Sequence, residues 1–138
     1  MDLAAADFDG ALALTPSPGL LVNRGIVHQR SGNSAAARTA FDAALALDVR
    51  SFSALYNRGN SYAAEGAYEQ ALADYSAALA IQPTAETQHN RANALAALGR
   101  SEEALKGYDA AITLDPANAL YAANRAKLRE AMGLPNGG

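Results

Sequence analysis

The chain has 138 residues, of which 50% are hydrophobic and only 7% aromatic, and it contains no Trp and no Cys. This length suits one domain with a core, and an Ala-rich, aromatic-poor composition favours closely packed helices, so we expect an all-α fold. A net charge of −3 gives no electrostatic basis for binding nucleic acid or an anionic membrane, and the lack of Cys excludes disulfides, thiol catalysis and thiolate metal sites.

The N-terminus carries no visible targeting signal. Met1 is followed by acidic, Ala-rich sequence instead of a basic segment and a long apolar run. Polar residues interrupt every apolar stretch, so we expect no membrane insertion. These features predict a soluble chain and favour the cytoplasm. A periplasmic location stays open if the chain is truncated, and the compartment is otherwise undetermined.

A short motif recurs along the chain at a nearly constant interval. Asn23-Arg24-Gly25 returns as Asn57-Arg58-Gly59, then as Asn90-Arg91-Ala92 and Asn124-Arg125-Ala126. The three intervals are 34, 33 and 34 residues. A fixed period of this size is typical of stacked helical repeats, in which each unit buries its apolar face against its neighbours.

The second helix of the unit also recurs four times. Its apolar residues are spaced by four, three and three positions, which keeps them on one packing face. The four sets are Ala4, Phe8, Ala11 and Leu14; Ala37, Phe41, Ala44 and Leu47; Ala71, Tyr75, Ala78 and Ile81; and Ala104, Tyr108, Ala111 and Leu114. Proline ends three of these helices, at Pro16, Pro83 and Pro116, whereas the fourth has Val49, with Asp48 and Ser51 available as caps.

Glycine and polar residues predict where the helices end and begin. Gly32, Gly66, Gly99 and Gly133 follow the first helices, where a left-handed cap is least costly without a Cβ. We expect Ser34 and Ser101 to be N-caps of second helices. Glu102 and Glu103 suit a first turn because the helix dipole favours negative charge there.

The large and small residues of the unit resemble the tetratricopeptide repeat (TPR) family. The best copy matches at Leu55, Gly59, Tyr62, Gly66, Ala71, Tyr75, Ala78 and Pro83. The resemblance implies a right-handed α-solenoid of antiparallel helical hairpins. We expect a single domain over 1–134, with a leading half repeat at 1–17 that includes a helix at about 2–15, full repeats at 18–51, 52–84 and 85–118, a C-terminal capping helix at 119–134, and a tail at 135–138.

By resemblance, the first helices line a concave groove that receives a peptide or partner segment. The implied groove residues are Val22, Asn23, Ile26, Tyr56, Asn57, Asn60, His89, Asn90, Asn93, Asn124 and Lys127. The surface is rich in side-chain amides, which both donate to and accept from a peptide backbone, with an apolar patch near one end. This composition favours sequence-tolerant binding of an extended chain.

One TPR subclass binds C-terminal carboxylates of chaperones through two Lys, an Arg and two Asn. The equivalent positions here keep amides but no base. They are Val22, Ile26, Asn57, Glu86 and Asn90 in one register, and Tyr56, Asn60, Asn90, Leu120 and Asn124 in the next. We therefore do not expect binding of chaperone tails.

Titratable residues of the repeat favour structural roles over catalysis. The arginines of the motif lie one position before the small packing residue, which turns them toward the preceding helix and favours ion pairs such as Asp7 with Arg24 and Asp74 with Arg91. His28 replaces a core aromatic, so we expect it to be at least half-buried. His89 is expected to be solvated, with ligand contact as the alternative. No catalytic motif is present, and we expect no metal and no cofactor.

The sequence thus predicts a non-catalytic protein-protein interaction module or scaffold whose partner is a protein or peptide. One alternative is a self-assembling homo-oligomer joined through the uncovered leading helix, whose stripe is Leu3, Phe8, Ala11 and Leu14. Light scattering would distinguish the two. The other alternative is a TPR segment of a larger protein, for example an enzyme.

Overall fold

The computed structural model describes residues 17–135, which form seven α-helices and no strand. The helices are α1 (Pro18–Arg30), α2 (Ser34–Leu47), α3 (Phe52–Ala64), α4 (Tyr68–Ile81), α5 (Ala85–Ala97), α6 (Ser101–Leu114) and α7 (Ala119–Ala131). They pack as the hairpins α1–α2, α3–α4 and α5–α6, with α7 on α6, and each hairpin contacts the next. The expected all-α helical-repeat solenoid is confirmed. The leading helix at about 2–15 lies outside the described residues.

Glycine ends the first helix of each hairpin. Gly32, Gly66, Gly99 and Gly133 have φ values of 80°, 78°, 79° and 75°, in the left-handed region that L-residues rarely enter. In the three hairpins the residue two positions before the second helix is therefore fixed as glycine by backbone geometry, and the predicted left-handed conformation is confirmed for all four glycines.

The predicted N-caps were partly wrong. Ser51 caps α3 by accepting a hydrogen bond from the Ala54 amide at 3.2 Å, as expected. Ser34 and Ser101, however, are the first helical residues of α2 and α6. Only one residue separates each left-handed glycine from the following helix, so the cap position falls on Asn33, which accepts from the Ala36 amide at 3.2 Å, and on Arg100.

The packing face of the second helices is buried except at its end. Phe41, Tyr75 and Tyr108 are 0%, 1% and 3% exposed, and the small residues on either side of them are fully buried. The expectation that the face continues to the last turn was wrong, since Leu47 and Leu114 are 52% and 49% exposed. The last turn lies at the end of the hairpin, where neighbouring helices no longer cover it.

Small residues on the first helices admit the aromatic ring from across the hairpin. A Cβ added at Gly59 would lie 2.7 Å from Cε1 of Tyr75, and one added at Gly25 would overlap the ring of Phe41. In the third hairpin Ala92 instead faces Gly107. Substitution by a larger residue would force the ring out of its place, so the glycines set the distance between the two helices.

The arginines of the motif hold neighbouring hairpins together. Arg58 Nη1 lies 2.8 Å from Asp42 of the preceding helix, Arg91 Nε donates to Ser76 Oγ at 3.0 Å, and Arg125 Nε lies 2.6 Å from Asp109. The expected contact with the preceding helix is thus confirmed for these three arginines. The corresponding expectation for Asp7 with Arg24 lies outside the described residues.

The predicted pair of Asp74 with Arg91 was wrong. Asp74 is 4% exposed and receives two hydrogen bonds from Arg58, at 2.8 and 2.7 Å, within its own hairpin. Its Cβ lies beside Gly59 of α3, so the carboxylate faces its hairpin partner and not the next hairpin. The hydrogen bonds that Arg58 donates to Asp74 raise the pKa of Arg58. The carboxylate of Asp74 is therefore almost completely removed from water, whereas the Arg58 side chain is 24% exposed.

Candidate functional site

A network of side-chain amides and phenols joins α3, α4 and α5. The Asn90 amide nitrogen donates to the Tyr56 hydroxyl and to Asn60 Oδ1, each at 3.1 Å. The hydroxyl of Tyr75 donates to the same Asn60 oxygen at 2.6 Å. Tyr56 in turn donates to Glu86 at 3.3 Å. The sequence-predicted residues Tyr56, Asn60 and Asn90 are thus brought together by direct bonds.

A second amide–phenol pair lies one repeat further along. The Tyr108 hydroxyl donates to Asn93 Oδ1 at 2.5 Å, which reproduces the bond from Tyr75 to Asn60 in the preceding hairpin. Burial raises the pKa of Tyr75 and of Tyr108, so both hydroxyls stay protonated and act as donors. Each phenol therefore binds the oxygen of its Asn and fixes which way the amide points.

The two amides that face the groove from α5 consequently differ in what they offer. Both hydrogen bonds donated by Asn90 use its amide nitrogen, so its oxygen is the group left to accept from a ligand or from the neighbouring His89. No hydrogen bond within residues 17–135 uses the amide hydrogens of Asn93, which is exposed. One helix thus presents an acceptor and a donor to the same cleft.

Two of the predicted groove residues are buried. Val22 is 4% exposed and packs with Phe41 and Ala54, so the expected apolar patch in the groove belongs instead to the core. His89, expected to be solvated or in contact with a ligand, is 7% exposed. Both residues lie on faces where consecutive first helices meet, α1 with α3 and α5 with its neighbours, and that contact covers them.

His89 is enclosed by rings and an amide. Its imidazole lies 5.8 Å from the ring of Tyr108 and 4.8 Å from that of Tyr121, and Asn124 approaches Nε2 at 2.7 Å. Burial lowers the pKa of His89, although Asn90 acts in the opposite direction. His89 and Asn124 are therefore a structural contact between α5 and α7. His28 is half-buried, as expected.

The remaining predicted groove residues stand apart from the network. Asn57 turns back to its own helix, donating to the Ser53 carbonyl at 2.8 Å. Ile26 is half-buried and packs on the core. Asn23 and Lys127 are exposed, and no hydrogen bond within residues 17–135 joins either of them to the network. The amides that can act together are therefore those of α3 and α5.

Two open clefts flank this network. We call the first the amide cleft; it has a volume of about 390 Å³ and includes Asn60, Ala64, Tyr75, Asn90, Asn93 and Ala97 among its walls. The second, the aromatic cleft, has a volume of about 270 Å³ and is lined by Phe52, Tyr56, Glu86, Asp115, Asn118 and Tyr121, among others. The amides were predictable from the sequence but most of the aromatic cleft was not, because its residues come from three helices and two loops.

Residues 17–135 contain neither a metal-binding cluster nor a membrane-spanning helix. No cluster of three or more His, Asp or Glu side chains is placed to hold a metal ion. No helix in this range is long and apolar enough to cross a membrane.

Solved structures with the same fold are numerous. The first TPR of Spaghetti (RPAP3), bound to the HSP90 peptide SRMEEVD, has a TM-score of 0.82 at 22% identity, covering 85% of this chain and 94% of that one. The structure of MamA from residue 41 to the end, from Desulfovibrio magneticus RS-1, has a TM-score of 0.83 at 24% identity. The match covers 89% of this chain and 70% of that one. YrrB, a TPR protein with an unusual peptide-binding site, has a TM-score of 0.83 at 20% identity. The match covers 91% of this chain and 66% of that one. At these identities the similarity establishes the fold alone.

Family models identify the repeat directly. Two models, both described as tetratricopeptide repeat, match residues 22–86 and 85–118, which together make up well over half of the chain. No curated protein sequence matches the chain significantly. The repeat period, the helical hairpins and both matches agree, and the chain belongs to the tetratricopeptide repeat family.

Proposed function

We propose that this protein is a non-catalytic interaction module whose amide cleft binds an extended segment of a partner protein. The observation that carries the proposal is the pair of oriented amides on α5. Asn90 meets a ligand through its oxygen and Asn93 through its hydrogens, so together they match the N–H and C=O groups of a peptide backbone. Binding through the backbone tolerates many side chains.

The cleft is also preorganised. Asn60 accepts two hydrogen bonds, from Tyr75 and Asn90, and Tyr75 is itself buried in the core. Amides that are already held in place lose little side-chain entropy when a ligand binds. Ala64 and Ala97 are exposed on the walls of the cleft and leave room for a chain to lie between α3 and α5.

Two structural neighbours support a peptide as the ligand. Spaghetti was solved with a peptide bound, and YrrB has a peptide-binding site. Because the positions equivalent to the chaperone-tail clamp hold no Lys or Arg here, the acidic HSP90 tail is not the ligand that we propose.

The test selects ligands from a displayed library of random peptides and measures their affinity by calorimetry. In the cleft variant, Ala64→Gln with Ala97→Gln fills the space between α3 and α5 without altering the hydrogen-bond network. Gln is a good helix former, so the fold should be retained. We expect the selected peptides to bind this variant about tenfold more weakly, or not at all.

The matched control is Ala73→Gln with Ala80→Gln. Both alanines are exposed on α4 and neither lines the clefts. Peptides should bind this control within about twofold of the parent. Selection of no peptide, or selection of peptides that bind the cleft variant as tightly as the parent, would show that the amide cleft is not the binding site.

A further inference from the structure

The aromatic cleft has rings on two helices that are not adjacent in the chain. Phe52 and Tyr56 lie one turn apart on α3, with their rings stacked at 5.9 Å between centroids and 7° between planes. Tyr121, in the first turn of α7, is 2% exposed and is supported from behind by His89. The three rings border a volume of about 270 Å³. Phe52 and Tyr56 are half-buried, so their π faces are the ones that can present partial negative charge to whatever enters.

Two carboxylates border the same cleft without a cationic partner. Glu86 lies in the first turn of α5, and Asp115 caps the C-terminus of α6. No ion pair within residues 17–135 uses either carboxylate, and no Lys or Arg lines the cleft. Burial, followed by the charges of Asp115 and Glu86, raises the pKa of Tyr121, which places both carboxylates near its ring.

The walls of the aromatic cleft and of the amide cleft are joined by hydrogen bonds through Tyr56. Its hydroxyl accepts from Asn90, which lines the amide cleft, and donates to Glu86, which lines the aromatic one. A chain held by the amides of α5 would therefore pass the mouth of the aromatic cleft. One side chain of the bound segment could enter the aromatic cleft while its backbone stays on the amides of α5.

We propose that the aromatic cleft binds a positively charged side chain, Lys or Arg, of the partner segment; this inference rests on the proposed function of the amide cleft. A cation is attracted by the ring faces and forms charge-assisted hydrogen bonds with the two carboxylates. An apolar side chain would leave those carboxylates desolvated and unpaired, and an acidic one would be repelled. A hydrated divalent ion needs more oxygen ligands than two carboxylates beside aromatic rings supply.

The experiment compares residue preferences in peptides selected from the random library by two proteins. The parent should enrich Lys or Arg at one fixed position of the aligned peptides. The isosteric variant Glu86→Gln with Asp115→Asn should still select peptides but lose that preference. In one selected peptide, replacing the basic residue by its neutral isostere, norleucine for Lys or citrulline for Arg, should weaken binding to the parent about tenfold and leave binding to the variant unchanged.

The charge-matched control is Glu69→Gln with Glu102→Gln, on first turns of α4 and α6 outside both clefts. Peptides selected by this control variant should still be enriched in Lys or Arg at the same position. Peptides that require the amide cleft but show no basic position, or a basic position that the isosteric variant selects equally well, would overturn this inference and leave the proposed function standing. If no peptide is selected at all, both are wrong.

Discussion

The first hairpin and the two that follow it all bury an aromatic ring of the second helix, but they place different side chains beside it. In α1–α2 the ring that packs on the first helix belongs to Phe41, and the residue fifteen positions before it is Ile26. In the other hairpins the ring is a tyrosine, and the residue fifteen positions before it is an asparagine that accepts its hydroxyl, as in Asn60 with Tyr75. The hydrophobic pair and the hydrogen-bonded pair leave the ring equally buried.

The packing of the ring is thus independent of the polar residue beside it. The ring is required by the space beside the glycine, but the hydroxyl is not, since Phe41 fills that space without one. Where the hydroxyl is present, it anchors an amide at the edge of the groove. The amide–phenol pairs therefore begin at α3, and the first hairpin has a hydrophobic pair in their place.

A second contrast between the hairpins gives the largest predicted effect. Only the second hairpin has a carboxylate, Asp74, at a position held by Ala40 and Gly107 in its neighbours. Arg58→Leu would leave Asp74 buried and unpaired, so we expect the free energy of unfolding to fall by about 3 to 5 kcal/mol in urea denaturation. The additional change Asp74→Ala should restore most of the loss, because it recreates the apolar arrangement of the first hairpin.

Arg91→Leu is the matched control for this prediction. Arg91 donates to the exposed Ser76 hydroxyl, so its loss should cost less than about 1 kcal/mol. Equal losses for the two arginine variants would mean that Asp74 does not depend on Arg58.

The next prediction transfers the hydrogen-bonded pair into the first hairpin. Phe41→Tyr alone would bury a hydroxyl beside Ile26 without a partner, at a cost of about 1 to 3 kcal/mol. Adding Ile26→Asn should recover part of that loss, because the pair would then match Asn60 with Tyr75. Thermal unfolding of the parent, both single variants and the double variant gives the coupling energy. A coupling of zero would indicate that the spacing of fifteen residues is not sufficient to form the bond.

The smallest predicted effect concerns His89, which stands in the third hairpin where Tyr56 stands in the second. Burial lowers the pKa of His89 in the folded protein. As the pH falls below the unfolded pKa of about 6.5, the unfolded chain therefore takes up a proton more readily than the folded protein does. The stability that the neutral imidazole contributes is complete above that value and is lost as the pH falls below it. The slope for one proton is at most about 1.4 kcal/mol per pH unit.

Urea denaturation at pH 7.5 and 5.5 measures this loss, and His89→Gln serves as the control because it cannot titrate. The parent should lose more stability than the variant over this interval. The same loss in both proteins would assign the pH dependence to other groups.

The residues that define each hairpin internally were predictable from the sequence. The period, the left-handed glycines and the buried ring of Tyr75 are all set by local backbone geometry or by contacts within one repeat. The two N-caps were misplaced by one residue because the sequence does not show how few residues follow the glycine before the next helix begins.

Contacts between hairpins were predicted less well. The period places Val22 and His89 on the same face as the groove amides, but how closely one first helix approaches the next decides whether that face is covered. Asp74 was paired with Arg91 of the next hairpin instead of Arg58 of its own, because the sequence does not show which of the two helices its carboxylate faces. The aromatic cleft requires Phe52, Glu86 and Tyr121 to converge, and no spacing within one repeat indicates that convergence.

The phenols that hold Asn60 and Asn93 by their oxygens have a consequence for how a ligand lies in the groove. With the oxygen of Asn90 and the hydrogens of Asn93 fixed one turn apart, the groove has a polarity of its own. A peptide also has a polarity, since its carbonyls and amides follow a set order from the N- to the C-terminus. For a peptide bound in the amide cleft as we propose, the two orders would agree in one orientation and conflict in the other, so the buried tyrosines of the core would select the direction of the bound chain.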